Sequence, residues 1–236
     1  STDPTGSEPL YRGCGNCCID TDNIWYDYDF DTSAIPVRLT ISGGTSYHRN
    51  VELKYGLHKH WKAGDDSAKE KVIRWFICDW GGIRGHKEET MKRYANSDPK
   101  YLISWGKYGV ASWSKALSIY NPDRYAIFDA RVSTSLNALQ IISGVQNPTL
   151  FPVLPSQNSK ISKGNRLFPD YAVSKRWRKL QNTTYYSTYM RLLEQTLAEL
   201  PKTDGIGIYT IEMLLFAKAE ELLSRAFSRD EVLGRS

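Results

Sequence analysis

The sequence lacks any apolar run near the roughly 18 residues that a membrane-spanning helix needs, so we predict no membrane span. It also lacks the charged and then apolar start that is typical of a secretory signal peptide. These two absences favour a cytoplasmic protein. A hydrophobic fraction of 41% and a charged fraction of 24% exclude a collagen-like or fully disordered chain. The 236 residues suffice for one domain, or for two small lobes that share one core.

Cysteine is scarce, and three of the four cysteines lie in the run CGNCC at positions 14–18. The C-x-x-C spacing is half of a zinc site, but a second pair of ligands would have to come from Cys78 and scattered histidines. We therefore predict no metal site and reduced cysteines. Residues 1–35 are predicted to form an N-terminal arm. Within it, alternating aspartates and aromatics over 20–31 favour a solvated acidic face over a metal cluster.

Neither sign of charge dominates, since 31 basic residues stand against 26 acidic ones. The net charge of +5 permits a nucleic-acid partner without requiring one. Aromatic residues, in contrast, are abundant, with seven Trp, fifteen Tyr and seven Phe. They suit a protein that stacks on bases, although most buried aromatics only fill a core.

Helical periodicity dominates from residue 36 onward, which predicts an all-α domain over 36–236. Cap and break signals place helices at about 51–61, 68–80, 88–95, 99–105, 110–120, 129–142, 171–200 and 208–227. The Pro- and Ser-rich stretch 143–170 is predicted to be the longest loop.

The segment 98–142 carries the pattern with chemical meaning. Gly106 and Gly109 in WGKYG allow a tight turn and a close backbone approach to a ligand. The helix that follows presents free N–H groups and a positive dipole end, which suits a phosphate, and Lys107 adds charge. Asp129 lies 20 residues after Gly109, behind the apolar run YAIF, so it is predicted to reach a sheltered cleft. An aspartate at a helix start is otherwise usually only a cap.

These two motifs resemble the helix-hairpin-helix DNA glycosylases. That family carries a hairpin L-P-G-V-G and, about twenty residues after its second glycine, an aspartate in a V-D-x-x-V setting. WGKYG is similar to the hairpin and IFDARV to the aspartate motif, with Gly109 on the second glycine and Asp129 on the catalytic aspartate. The likeness is closest to prokaryotic 8-oxoguanine glycosylase-like proteins, and some relatives of that kind excise modified phage bases in antiviral defence.

The resemblance implies a two-lobed helical fold whose cleft binds double-stranded DNA, and a monomeric enzyme that flips out and excises a modified base. Members with lyase activity carry a lysine two residues after the second glycine. Ala111 stands there, so the resemblance implies a monofunctional glycosylase that leaves an abasic site. No cofactor is implied. The family's hairpin holds a monovalent cation on backbone carbonyls, and that cation stays open here because Lys107 stands in place of the first hairpin glycine.

Further DNA contacts are predicted around this centre. In DWGGIRG, Ile83 and Arg84 could fill the gap that a flipped base leaves, and Lys175 and Lys179 would share one face of the predicted helix 171–200. Tyr108 belongs to the hairpin itself. The side chains predicted to stack on the base are Trp80, Trp105 and Trp113.

Other functions stay open at this point. The substrate could be an oxidised purine in repair or a modified base in phage DNA. The chain could instead be a non-enzymatic DNA-binding protein that keeps the hairpin, or a metal-dependent nuclease built on the acidic residues of 20–31. DGIGIYTIEML at 204–214 also resembles a hairpin, but Phe227 lies twenty residues after Gly207, so we predict a packing helix there.

Overall fold

The computed structural model describes residues 26–202 and 205–227, and within them the protein is predominantly helical, as predicted. A parallel pair of two-residue strands is the only sheet of this part. The helices are α1 (Ser46–Ala63), α2 (Asp66–Trp75), α3 (Glu88–Asn96), α4 (Pro99–Ser104), α5 (Val110–Tyr120), α6 (Ala130–Ile142), α7 (Ser159–Asn165), α8 (Leu167–Ser174), α9 (Tyr185–Glu199) and α10 (Ile208–Ala226), and the strands are β1 (Thr149–Leu150) and β2 (Arg178–Lys179).

Side-chain caps explain where several helices begin. Asp65 accepts a hydrogen bond from the amide of Ala68, at 2.8 Å, at the start of α2. Asp98 accepts from the amide of Lys100, at 2.7 Å, while Pro99 fills the first position of α4, where no amide donor is needed. These caps are short-range features, and both helix starts were predicted from the sequence.

The helices pack as two groups around one large core, beside which Tyr26, Tyr47, Tyr209 and Met213 form a second, small cluster. α10 packs most extensively on α6 and also contacts α7 and α9, whereas α1, α2 and α3 pack on one another and on α5. The core runs through both groups, from Leu53 of α1 to Leu223 of α10. In the described residues, no helix is both long enough and apolar enough to cross a membrane.

Residues 26–35 do not stand apart as an arm, in contrast to the predicted boundary at residue 35. Tyr26 is only 5% exposed, and its ring lies 5.9 Å from that of Phe216 in α10. Asp27 and Asp29 point outward on either side of Tyr28, which is half-buried. The alternation therefore puts the acids in solvent and the rings on the core, as favoured above. Residues 1–25, with the CGNCC run, lie outside the described part.

The predicted helix 171–200 is wrong in its first part. α8 ends at Ser174, Arg176 takes a left-handed φ of 53°, and Arg178 pairs with Thr149 in the parallel strands. Lys175 and Lys179 consequently do not share a helical face, and both are exposed. The predicted loop 143–170 in turn contains α7. Contacts with distant segments, such as the amide of Arg178 on the carbonyl of Pro148 at 3.0 Å, decide these differences.

Candidate functional site

A cavity of about 630 Å³ opens where the two groups of helices meet. This volume lies in the range of small-molecule sites, which is about 300–1,000 Å³. The lining comes from Tyr26 and Tyr28, from the segments 80–86, 107–115, 127–131 and 154–158, and from Glu212 and Phe216 of α10. The hairpin and the aspartate motif therefore border the same cavity.

Asp129 lines this cavity and also caps α6. One carboxylate oxygen, Oδ1, accepts hydrogen bonds from the amides of Arg131 at 2.9 Å and Val132 at 3.0 Å. Among the described residues no donor reaches the other oxygen. Capping and a chemical role are thus compatible, because the cap fixes the orientation of the carboxylate while one oxygen remains available.

The apolar run before Asp129 is held rigidly. Tyr125, Ala126, Ile127 and Phe128 are all buried. Two tyrosines of α9 donate to this backbone, Tyr186 to the carbonyl of Ala126 at 2.8 Å and Tyr189 to that of Ile127 at 2.9 Å. These bonds satisfy carbonyls of an extended segment that has no strand partner. They hold Asp129 in place from the side opposite to solvent.

The predicted hairpin is a tight turn before α5, with both glycines in the left-handed region. Gly106 has φ 60° and Gly109 has φ 66°. A Cβ on Gly109 would lie 2.7 Å from the hydroxyl of Tyr94, so this position excludes larger residues on two grounds. Lys107 is exposed at the cavity mouth, and Tyr108 is 78% exposed beside it. The turn therefore presents a cation and an aromatic ring to solvent.

The backbone of this hairpin does not fit the cation that the resemblance implies. The carbonyl of Gly106 accepts from the indole Nε1 of Trp113 at 3.2 Å and from the hydroxyl of Tyr185 at 3.1 Å. The carbonyl of Tyr108 accepts from the same indole at 3.1 Å. A carbonyl oxygen has two lone pairs, so Gly106 has none left for a metal ion. The indole N–H of Trp113 is thus shared by the carbonyls of Gly106 and Tyr108.

Of the three tryptophans predicted to contact the base, the structure brings Trp80 to the cavity. Trp80 is buried, stacks on Phe76 with ring centroids 4.3 Å apart, and donates from Nε1 to Asn50. Trp113 is 0% exposed, because it packs in the core beneath the hairpin. Trp105 packs on Tyr94, 5.7 Å away, outside the cavity lining. The structure thus corrects the pocket prediction for Trp105 and Trp113.

The loop after Trp80 reaches the cavity with one of its two predicted side chains. Ile83 lines the cavity, while Arg84 is exposed beyond it. Gly82 with φ 66° and Gly85 with φ 88° flank them, which lets the loop fold back at the mouth. Arg84 therefore lies where a partner larger than the cavity would meet it.

Lys175 and Lys179 do not line the cavity. The chain just beyond them does approach the hairpin, since Asn182 accepts from the amide of Lys107 at 2.8 Å. The same Asn182 crowds the Cα of Gly106, where a Cβ would come within 2.4 Å of it. Lys179 is thus close in sequence to a residue that supports the hairpin.

Three buried charged residues were missed by the sequence reasoning. Lys54 of α1 and Glu212 of α10 form an ion pair at 2.6 Å, with side chains 2% and 3% exposed. Lys115 of α5 is 5% exposed, lines the cavity, and donates to the carbonyl of Ala111 at 3.0 Å. Burial lowers the pKa of Lys115, and the negative charge of Asp129 opposes that shift. In the sequence, each of these three residues is recognisable only as a charged residue on an otherwise apolar helix face.

His86 is a further titratable group at the cavity that sequence reasoning did not single out. Its Nε2 lies 2.9 Å from the hydroxyl of Ser112 in the first turn of α5. Burial lowers the pKa of His86, which favours the neutral ring. Ser112 therefore has a partner that ties the 80–86 loop to the helix start.

Among the described residues, no group of three or more His, Cys, Asp or Glu side chains is arranged to hold an ion, and Cys78 is a free thiol. Cys14, Cys17 and Cys18, and the aspartates before residue 26, lie outside the described residues.

Comparisons with protein-family models, with curated proteins and with solved structures found no match to this chain.

Proposed function

We propose that the protein is a DNA glycosylase of the helix-hairpin-helix kind, whose two helix groups correspond to the two lobes of that fold. It would act as a monomer in the cytoplasm, flip a modified base out of double-stranded DNA and hydrolyse its N-glycosidic bond. One observation carries the proposal. Asp129 and the hairpin residues Lys107 and Gly109 border one cavity, although 20 residues separate Gly109 from Asp129.

The chemistry follows from what the bond requires. As the bond between C1′ and the base nitrogen breaks, the electron pair leaves with the base and positive charge grows on the sugar. A fixed anion beside the sugar stabilises that charge. The amides of Arg131 and Val132 hold Asp129 in orientation, so little reorganisation is needed. Water then bonds to C1′, and its proton passes to Asp129 or to the departing base.

The hairpin would hold the DNA backbone next to this anion. The start of α5 has no side-chain cap among the described residues. The amides of Val110 and Ser112 donate to the carbonyls of Lys107 and Gly109, which leaves the amide of Ala111 and the positive dipole end of the helix for a phosphate. Lys107 adds a positive charge there, and Tyr108 offers an exposed ring. Ile83 at the cavity mouth is the side chain best placed to fill the gap in the duplex, with Arg84 and the exposed Lys175 and Lys179 as backbone contacts.

The test is incubation with duplexes that carry different modified bases, followed by alkali to reveal abasic sites. We expect Asp129→Asn to lower base release at least about a hundredfold while DNA binding persists. Asn caps a helix nearly as well as Asp, so the fold should survive. Asp65→Asn is the matched control, because Asp65 caps α2 away from the cavity. Release unchanged in Asp129→Asn would refute the proposal, and binding without release from any duplex would indicate a non-enzymatic DNA-binding protein.

The enzyme is proposed to be monofunctional, because Ala111 stands at the position of the lyase lysine and the amine of Lys115 is engaged by the carbonyl of Ala111. Borohydride should therefore fail to trap a covalent adduct between the protein and DNA. Efficient trapping that disappears in Lys115→Met would contradict this part of the proposal.

The substrate is proposed to be a bulky modified base, an oxidised purine or a phage-type cytosine, rather than uracil. Release of glucosylated cytosine alone would favour antiviral defence over repair.

A further inference from the structure

One end of the cavity is walled by aromatic rings from three separate segments. The ring of Tyr28 lies 5.0 Å from that of Trp80 and 5.8 Å from that of Phe216. Tyr26 closes the set, 5.9 Å from Phe216. All four residues line the cavity. A wall of this kind suits the flat face of a base, and stacking alone does not tell one base from another.

A carboxylate lies at the same end. Glu212 is 2% exposed and still lines the cavity. Its Oε2 accepts from Lys54, and no described residue donates to its Oε1. Phe216 follows Glu212 by one turn of α10, so the aromatic wall and the carboxylate are presented by the same helix face.

The geometry favours an ionised pair, because Nζ of Lys54 lies 2.6 Å from Oε2 of Glu212 and both side chains are buried, so that each charge meets the other. Burial raises the pKa of Glu212 and the charge of Asp129 adds to that rise, while the ammonium groups of Lys54 and Lys115 oppose it. In the ionised pair, Oε1 is a fixed hydrogen-bond acceptor.

A buried ion pair is a poor way to stabilise a fold, since well-packed apolar residues of similar volume often do as well or better. A free acceptor at the end of an aromatic-walled cavity has a more specific use, which is to accept a hydrogen bond from the edge of a ligand. Asp and Glu accept from the exocyclic amine of cytosine in this way.

We propose, building on the proposed function, that Glu212 reads the flipped base through an exocyclic amine. The substrates are then modified bases that keep an amino group, of the 5-substituted cytosine or 8-oxoguanine type. The corresponding oxo base would place its carbonyl oxygen against Oε1, so that two acceptors repel each other. Glu212 is thus a specificity residue, whereas Asp129 acts on the sugar.

The experiment uses duplexes in which one base carries either an amine or a carbonyl at the position that Glu212 would read. One pair carries 5-hydroxymethylcytosine or 5-hydroxymethyluracil, and a second carries 8-oxoguanine or 8-oxoxanthine. Base release is measured with the intact chain, and binding with Asp129→Asn, which should keep the base in place. We expect the amino base to be favoured at least about tenfold in one of the pairs, which also separates the pyrimidine and purine classes.

Glu212→Gln should remove or reverse that preference, because its amide can donate to the oxo base. Glu221→Gln, an exposed position of the same helix, should leave the preference unchanged. If Glu212→Gln does not fold, the double variant Glu212→Gln/Lys54→Met removes the buried cation and takes its place in the test. It too should lose the preference.

The outcomes separate this inference from the proposed function. Equal treatment of amino and oxo bases, or a preference that survives Glu212→Gln, overturns the role of Glu212, even where base release is intact. An amino preference in binding that Glu212→Gln abolishes, without release of any base, supports Glu212 and refutes the glycosylase. No binding to any of the four duplexes overturns both.

Discussion

Two turns of this chain that resemble a glycine hairpin, at 106–109 and 205–207, precede helices in different surroundings. The turn 106–109 before α5 faces solvent, with Gly109 at φ 66° and Tyr108 78% exposed. The segment 205–207 before α10 leads into the core. There Ile208 and Thr210 are buried, and the hydroxyl of Tyr47 lies 2.7 Å from that of Thr210.

Similar local sequence therefore supports different roles. The turn before α5 exposes Lys107 and Tyr108, although Val110 and Ser112 of the first helical turn are buried, whereas the first turn of α10 is covered by α1. α10 borders the cavity instead through side chains farther along, at Glu212 and Phe216. The exposed side chains before the helix, and not the glycine pattern itself, distinguish the two helix starts.

The largest effect is expected from removing the indole N–H of Trp113, which donates hydrogen bonds to two carbonyls of the turn 106–109. Trp113→Phe leaves the carbonyl of Tyr108 without its donor and that of Gly106 with one of two, at a cost of roughly 1–3 kcal/mol in the free energy of unfolding. DNA binding should weaken as the turn loses its shape. Chemical denaturation and binding titrations measure both effects.

Trp105→Phe is the control for that variant, since Trp105 is half-buried near the same turn without serving the hairpin carbonyls. Wild-type binding should also be the same in potassium, sodium and lithium chloride at equal ionic strength. A strong preference for potassium would show that a cation, and not the indole, completes the turn.

An intermediate effect is expected from replacing one glycine of each turn with alanine, which adds one methyl group. Gly109→Ala places a left-handed alanine, at about 1–2 kcal/mol, and pushes a Cβ to 2.7 Å from the hydroxyl of Tyr94. Gly205→Ala, at φ 79° and with no described atom within 4 Å apart from its chain neighbours, bears the conformational cost alone. We expect Gly109→Ala to be the less stable variant and the one that loses DNA affinity. Equal losses of affinity would mean that both turns contact DNA.

The smallest effect is expected from replacing a single lysine near each turn with alanine. Lys107→Ala should weaken binding evenly across sequences and reduce the slope of log affinity against log salt by about one. Lys202→Ala, an exposed lysine before the second turn, should change neither quantity. A sequence-selective loss in Lys107→Ala would contradict a phosphate contact.

The sequence by itself determined the helical class, the caps at Asp65, Asp98 and Asp129, and the two glycines of the first turn. These features depend on neighbours within a few residues, where periodicity, capping and backbone sterics act. The spacing between Gly109 and Asp129 was also readable, and both residues border the cavity. Nothing beyond local rules was needed for them.

Only the tertiary structure decided which side chains share that cavity. Lys54 and Glu212 are 158 positions apart, and the rings of Tyr26 and Phe216 come from opposite ends of the described chain. The break at Arg176 and the inward turn of Trp113 likewise depend on segments far along the sequence. Burial and pairing at such separations result from helix packing, and no local pattern records which buried charge will meet its partner at the end of a cavity.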